Sequence, residues 1–221
     1  LGIFGSAGMG TDYRDNGGQT DGFGLFNGYS NLQLMKFAPS FAYNNDNWGI
    51  GFAPVIQYGA LDINYHFADG QTTAGGNPFP GNTGNGMSSD IGYGYNLGGH
   101  FDITKDFTVA IAYQSAIDMT YDNQISTAAK PFADFGLLNS GFGDNLEQPA
   151  EIKIGAAYTM GSFMLTADAK QIQWGDAKGY KDFNWQDQNV FAVGGKYQDN
   201  GFWLGAGYNS GEDPIEKSSD S

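Results

Sequence analysis

The chain has 221 residues, with 35 Gly, 17 Phe, 13 Tyr and no Cys, and its 10 basic against 24 acidic residues give a net charge of −14. That balance excludes a nucleic-acid surface, which needs basic residues to meet phosphates, and the missing cysteine excludes disulfide scaffolds and thiolate metal sites. No apolar run approaches the ~20 residues of a membrane-crossing helix.

Alternation of apolar and polar residues predicts nine strands, over 1–13, 32–44, 48–67, 90–102, 106–122, 150–159, 162–174, 188–198 and 201–209. The chain begins without Met and inside the first strand pattern, so it reads as part of a longer protein. That first strand carries the run FGSAGMG, and Gly5, Gly8 and Gly10 suggest a bend or a weak place in a wall. The second and third strands are interrupted by Pro39 and Pro54, and proline cannot donate to a ladder. Phe79 stands among Gly and Pro in the next connection, GGNPFPGN, and is a candidate ligand contact or a plain loop residue. The fifth strand, FTVAIAYQSAIDMTYD, holds its alternation for sixteen residues (107–122), where ordinary strands run about 5–6. It predicts a wall strand that continues beyond the membrane.

The loop that follows predicts a short helical turn around 129–138 and contains AKPFADFGLLNSGFGDN. Phe132, Phe135, Leu137, Leu138 and Phe142 are too apolar for a solvated loop. They predict either a surface that captures a hydrophobic ligand or a cap packed over the barrel mouth. Trp174 and Trp185 bracket the last long loop and read as interfacial anchors. His66 and His100 lie on different strands without metal-ligand spacing, and no cofactor is expected.

The connections alternate in length. Short turns NNDN, DITK, TMGS and QDNG alternate with long ones at 14–31, 68–89, 123–149 and 175–187. All short turns therefore fall at one end of an antiparallel up-and-down sheet. Aromatics bracket each short turn: Tyr43 and Trp48, Phe101 and Phe107, Tyr158 and Phe163, Tyr197 and Phe202. Pairing these rings directly sets Lys153 opposite Asp168, Glu151 opposite Lys170, Leu97 opposite Ile111 and Trp203 opposite Lys196, and makes Pro39 and Pro54 diagonal neighbours. Trp203 and Lys196 are then candidates for a lumen pocket or a cation–π contact.

One face holds Met35, Phe37, Phe41, Ile50, Phe52, Ile56, Ile91, Tyr93, Leu97, Val109, Ile111, Ile152, Ile154, Leu165, Phe191, Val193, Leu204 and Ala206, with no charge among them. The other holds Lys36, Asn96, His100, Gln114, Glu151, Lys153, Asp168, Lys170 and Lys196. A soluble sandwich and an outer-membrane barrel both alternate in this way. The aromatic rim, the loops sorted by length and the long strands favour the all-β antiparallel transmembrane barrel, because an open sheet edge is not tolerated in lipid and a membrane strand needs about 9–11 residues.

LQLMKFAPSFAYNNDNWGIGFAPVIQY, DITKDFTVAIAYQSAIDMTY, QPAEIKIGAAY and GYNSGEDPI, in this order and spacing, resemble the FadL/TodX family of outer-membrane transporters for long-chain fatty acids and aromatic hydrocarbons. The resemblance implies a fourteen-stranded barrel of which residues 1–221 supply the third to the eleventh strands, without the N-terminal hatch and the terminal strands. It further implies a monomer in the outer membrane, in contact with lipid and lipopolysaccharide, that passes a hydrophobic solute, most simply a long-chain fatty acid, through a lateral opening without covalent chemistry. By that alignment the kinked wall strand is the first segment, so Gly5, Gly8 and Gly10, with Pro39 and Pro54, are the candidates for the opening. A general diffusion porin, an aromatic-hydrocarbon channel of the same family and a soluble β-sandwich binding protein are the alternatives.

Overall fold

The structure is a computed structural model that describes residues 2–14, 28–66, 76, 82–134, 136 and 142–215. Its strands are β1 (Gly2–Asp12), β2 (Tyr29–Ala38), β3 (Phe41–Asn44), β4 (Trp48–His66), β5 (Asn82–Thr83), β6 (Ser88–Thr104), β7 (Phe107–Gln114), β8 (Glu151–Met160), β9 (Phe163–Ile172), β10 (Gln188–Asp199) and β11 (Phe202–Gly211). Each strand of the path β1-β2-β4-β6-β7-β8-β9-β10-β11 pairs antiparallel with the next, while β3 and β5 pair with β4. This is the expected up-and-down meander. The predicted second strand is split at Pro39 and Ser40 into β2 and β3.

The two faces separate as predicted. Along β4, Ile50, Phe52, Ile56 and Tyr58 are exposed, while Ala53, Val55 and Gln57 between them, and Leu61 beyond, are buried. Met35, Tyr93, Ile111, Ile154, Leu165, Phe191 and Leu204 continue the exposed side across the sheet. Leaving such side chains in water forfeits about 1.5–3 kcal/mol each. Among the described residues no second sheet covers them. The face suits hydrocarbon, where a charge costs about 2–4 kcal/mol at the midplane. At the short-turn end the rings form a rim: Tyr43–Trp48 at 5.5 Å, Phe107–Tyr158 at 6.4 Å, Phe163–Tyr197 at 4.8 Å and Tyr197–Phe202 at 5.8 Å between centroids.

The predicted registers are each off by two residues. Tyr158 stands opposite Leu165, Leu97 opposite Tyr113, Asn44 opposite Gly49 and Tyr197 opposite Leu204. The tighter hairpins keep every side chain on its predicted face, because a shift of two preserves the pleat. Lys153 therefore faces Lys170, and its bridge to Asp168 (3.5 Å) is diagonal, as is that of Lys170 to Glu151 (3.4 Å). Trp203 stands opposite Gln198, and Lys196 opposite Gly205. Pro39 and Pro54 are not diagonal: the register runs from Phe37↔Ile56 to Phe41↔Phe52 without a slip, which sets the two prolines directly opposite each other.

The largest departure concerns residues 107–122. β7 ends at Gln114, and beyond it the chain leaves the wall and crosses its inner surface. Odd-numbered side chains up to Tyr113 face outward, but Ile117, Met119 and Tyr121 are fully buried on the inner side. The helix is also earlier than expected: α1 runs from Ile125 to Asp134.

Candidate functional site

The site is built on a trough of glycines. On the inner faces of β4 and β6, Gly59, Gly92 and Gly94 leave no side chain where the strap 115–121 lies. A carbon added to Gly92 would stand 2.5 Å from Ile117 Cγ2 and Met119 Sδ and 2.6 Å from the Asp118 carbonyl. One added to Gly59 would strike the Tyr121 hydroxyl and, at 2.7 Å, Met119 Cε. The strap pairs with its own return segment. Ile117 N donates to Gln148 O (3.0 Å), Gln148 N to Ile117 O (2.9 Å), Leu146 N to Met119 O (3.0 Å) and Tyr121 N to Asp144 O (2.8 Å). At the strap's start, Ser115 N donates to Tyr95 O and Tyr95 N to Ser115 Oγ, both at 2.9 Å. Gln57, opposite Gly92, is completely buried here with neither amide atom hydrogen-bonded.

α1 follows the strap because its first turn is capped from outside. Asp144 accepts from Asn123 N (2.9 Å), Ser126 N (2.9 Å) and Ser126 Oγ (2.8 Å). A carboxylate at a helix N-terminus satisfies orphan amides and meets the positive end of the dipole. Burial pushes the Asp144 carboxyl up, but hydrogen bonds from Ser126, Asn123 and Gln124 outweigh it and hold the group below its ordinary range. Buried Gln124 fastens the same end, accepting from Ile63 N (2.9 Å) and donating to Gly86 O (2.6 Å). Pro131 lies inside the helix, where its ring removes the donor that would reach the Thr127 carbonyl.

Beneath α1 lies an apolar cavity of about 430 Å³. β1, β2 and β4 supply Met9, Leu32, Leu61 and Ile63; α1 supplies Ile125, Ala128, Ala129 and Phe132; the return segment adds Phe142 and Leu146; and a 3-10 helix, Tyr180–Phe183, closes the side. Ser30 and Tyr65 are the polar residues of the wall besides Tyr180, and the Tyr65 hydroxyl donates to the Ala128 carbonyl. Phe142 stacks on Phe183 at 4.7 Å and 17°, and Phe132 meets Tyr65 at 6.1 Å. Of the 10 Lys and Arg residues in the chain, all but Lys217 are described, and none lines this cavity. It is a neutral, partly aromatic container of the size that takes a small ligand.

Phe132 and Phe142 both line this cavity; Phe79, Phe135, Leu137 and Leu138 lie outside the described residues. Trp203 and Lys196 share a shallow depression with Met164 and Thr166 on the β9–β11 side and do not reach the cavity. Gly5, Gly8 and Gly10 lie in β1, whose ladder to β2 is continuous apart from a shift between Gly5 and Ala7. Trp174, Tyr180 and Trp185 form one ring cluster with centroids 4.5–5.0 Å apart, so the two tryptophans stiffen the loop that carries the cavity's side wall. The aliphatic wall residues, the strap and Tyr180–Phe183 were not singled out by the sequence. The alternate glycines of GYGYN (Gly92, Gly94) were the available signal, because an inner face without side chains asks for something to fill it.

Outside the cavity the strap is tied by charge. Lys178 bridges to Asp118 and lies 3.9 Å from Glu147. Burial, helped by Asp118, raises the Glu147 carboxyl above its ordinary value against Lys178 and Lys181. Among the described residues no group of His, Cys, Asp and Glu is placed to hold a metal ion.

The family described as Outer membrane protein transport protein (OMPP1/FadL/TodX) matches residues 1–221. Among solved structures, a Pseudomonas aeruginosa FadL homologue superposes with a TM-score of 0.69 at 17% identity, over 99% of this chain and 57% of that one. The Ralstonia pickettii toluene transporter TbuX gives 0.67 at 18% identity, over 95% and 64%, and the Pseudomonas putida toluene transporter TodX 0.61 at 17%, over 95% and 63%. The chain thus spans about three fifths of these relatives' length. No curated protein matches it. The meander, its lipid-facing outer side and the match over the full 221 residues make this chain a member of the FadL/TodX family of outer-membrane transport proteins.

Proposed function

We propose that this chain forms the wall and the ligand cavity of a passive outer-membrane channel for hydrophobic solutes. The observation that carries the proposal is the cavity under α1: about 430 Å³, lined among the described residues mainly by aliphatic and aromatic side chains and by no charge. Binding there needs only transfer of apolar surface out of water, worth about 25 cal/mol per Å². Transport down a gradient asks nothing more of the protein than such a path. The strap, which fills the lumen beside β4 and β6, argues for this reading over an open diffusion porin, and single-channel conductance near zero is expected.

The lining also bears on the cargo. Long-chain fatty acids, expected from the sequence, fit through their tails, but a carboxylate inside the cavity finds no cation among the described residues that line it. Neutral hydrocarbons meet no such penalty. The test is binding to the purified protein by calorimetry, with an alkylbenzene and a long-chain fatty acid compared. The hydrocarbon is expected to bind at least as tightly. A fatty acid bound more than tenfold tighter sinks the neutral reading, and failure of both to bind sinks the transporter reading.

A further inference from the structure

Below the cavity, the inner face of β2 and β4 becomes polar at one step. Leu32 pairs with Leu61 at the cavity wall, Leu34 with Gly59 beneath it, and Lys36 with Gln57 beneath that. Gln57 thus lies four residues along β4 from Leu61, about 13 Å away. Its side chain is completely buried, and neither Oε1 nor Nε2 has a hydrogen-bond partner among the described residues. Asn96 Oδ1 on β6 and the Tyr121 hydroxyl over Gly59 are buried and unpartnered in the same way. Lys36, itself buried, reaches across β4 and β6 and donates to Gln114 Oε1 at 3.4 Å, which leaves most of its donor capacity unused. Buried polar groups are nearly always paired, and several orphans in one place ask for a partner.

The orphans select the chemistry of that partner. Gln57 Oε1 and Asn96 Oδ1 only accept, and Gln57 Nε2 only donates. A hydrocarbon offers nothing to either. A carboxylate would satisfy the amide donor and leave both carbonyl oxygens unpaired. It would also enter near Glu151, which stands opposite Gln114 and whose charge Lys36 already feels. A hydroxyl donates to a carbonyl and accepts from an N–H at once. Its hydrocarbon part has a place to lie, because Val55, Ile117 and Met119 belong to the buried apolar cluster that continues through Leu32 and Leu61 to the cavity. The strap covers this place without being bonded to the wall over it. Ser115 is tied to Tyr95, and Thr120 N donates to Asp90 Oδ2 at 2.8 Å. Between these two ties, the backbone of Ile117 and Met119 bonds, among the described residues, to the return segment. The unbranched Met119 side chain, which adapts to irregular space, can therefore move aside with the wall bonds intact.

We infer that Gln57, with Asn96 and Lys36 beside it, is a polar station beneath the strap that binds the hydroxyl of a hydrophobic alcohol or phenol whose hydrocarbon part lies in the apolar column leading to the cavity. The inference rests on the transporter reading and widens its cargo from hydrocarbons to their monohydroxylated relatives.

Three probes of one skeleton test it by calorimetry on the full-length protein: hexylbenzene, 4-hexylphenol and 4-hexylbenzoate. Gln57→Leu is expected to weaken binding of 4-hexylphenol about tenfold and to leave hexylbenzene within twofold. Asn96→Ala, which removes one acceptor, is expected to weaken the phenol about threefold. Because Gln57→Leu replaces an unpaired amide by an apolar side chain of similar size, its urea midpoint is expected to be no lower than that of the unaltered protein. A lowered midpoint overturns the station, since the amide would then be bonded within the folded protein. Equal losses for hexylbenzene and 4-hexylphenol overturn it as well, by giving Gln57 a structural role. Unchanged binding of the phenol leaves water as the amide's partner and also overturns it. A benzoate that binds more tightly than the phenol and depends on Gln57 overturns the choice of a hydroxyl. If none of the three binds to the unaltered protein, the transporter reading beneath the inference fails instead.

Discussion

The two sides of this wall present the same outer face and opposite inner ones. On β8, β9 and β10 the inner face carries Glu151, Lys153, Asp168, Lys170 and Lys196, long side chains that need water or one another. On β2, β4 and β6 it carries Leu32, Leu61 and a row of glycines into which the strap is laid, together with buried Lys36, which faces Gln57 and donates to Gln114 Oε1 at 3.4 Å. The lipid constrains only outward positions, so inner positions are free to differ, and the difference divides the lumen into a charged half and a dry half. The cavity belongs to the dry half. A ligand that dissolves poorly in water is thus offered the apolar surface of the cavity on one side only.

The sharpest way to break this division is to fill the trough. Gly92→Val places carbons where Ile117, Met119 and the Asp118 backbone already stand. Overpacking of this kind costs about 3 kcal/mol, and because the obstruction includes backbone, the strap must lift rather than adjust. Urea unfolding of the refolded barrel is expected to show that loss, with the cavity no longer binding hydrocarbon. A variant of unchanged stability that still binds would mean the strap is not seated as described. Next in size is Phe132→Ala. It removes the ring that faces Tyr65 across the cavity and is expected to weaken hydrocarbon binding about tenfold, roughly 1.4 kcal/mol, with little effect on a fatty acid bound elsewhere.

The strands and their faces were readable in the sequence because lipid enforces period-two alternation more strictly than water does. Register was not. The aromatics that bracket each turn invite direct pairing, yet Tyr43 and Trp48, and Tyr197 and Phe202, meet diagonally, since rings are long enough to touch across two positions. The strap was misread for a related reason. Alternation in Ile117, Met119 and Tyr121 continues that of Val109, Ile111 and Tyr113 without a break, but periodicity does not say which face meets which surroundings. Phe132 and Phe142 were legible as apolar residues in a polar loop. Leu32, Leu61 and Ile63 were not, because an inward-facing Leu at the upper end of a strand looks like any other wall residue.

A smaller effect tests how the lid over the dry half is held. The Asp144 carboxyl caps α1 and lies below its ordinary 3.8 in the folded protein. A group whose folded pKa is depressed contributes stability above its unfolded value and loses it as pH falls through the folded one. The cap is therefore fully present at neutral pH and fails only below about pH 4. Asp144→Ala is expected to cost about 1 kcal/mol at pH 7, as lost caps do. Asp144→Asn, which keeps an acceptor, should cost less and flatten the acid limb of the stability curve. An acid limb identical in the Asn variant would assign the sensitivity to another carboxylate.

The smallest effect is the most informative about the charged half. Lys153 and Asp168 are 3.5 Å apart with side chains 50% and 33% exposed. A pair that open to water is worth at most about 0.5 kcal/mol and is screened by salt. A double-mutant cycle with Lys153→Met and Asp168→Leu is expected to give a coupling of that size at low ionic strength, and none at about 1 M salt, where the Debye length is about 3 Å. A coupling of several kcal/mol that survives salt would mean the pair is desolvated. The β8–β10 side would then be as dry as the other, and the lumen would no longer confine an apolar path to β2, β4 and β6. The expected weak coupling instead keeps water against the charges, where a hydrocarbon loses by contact, and leaves the strap side as the route of lower free energy.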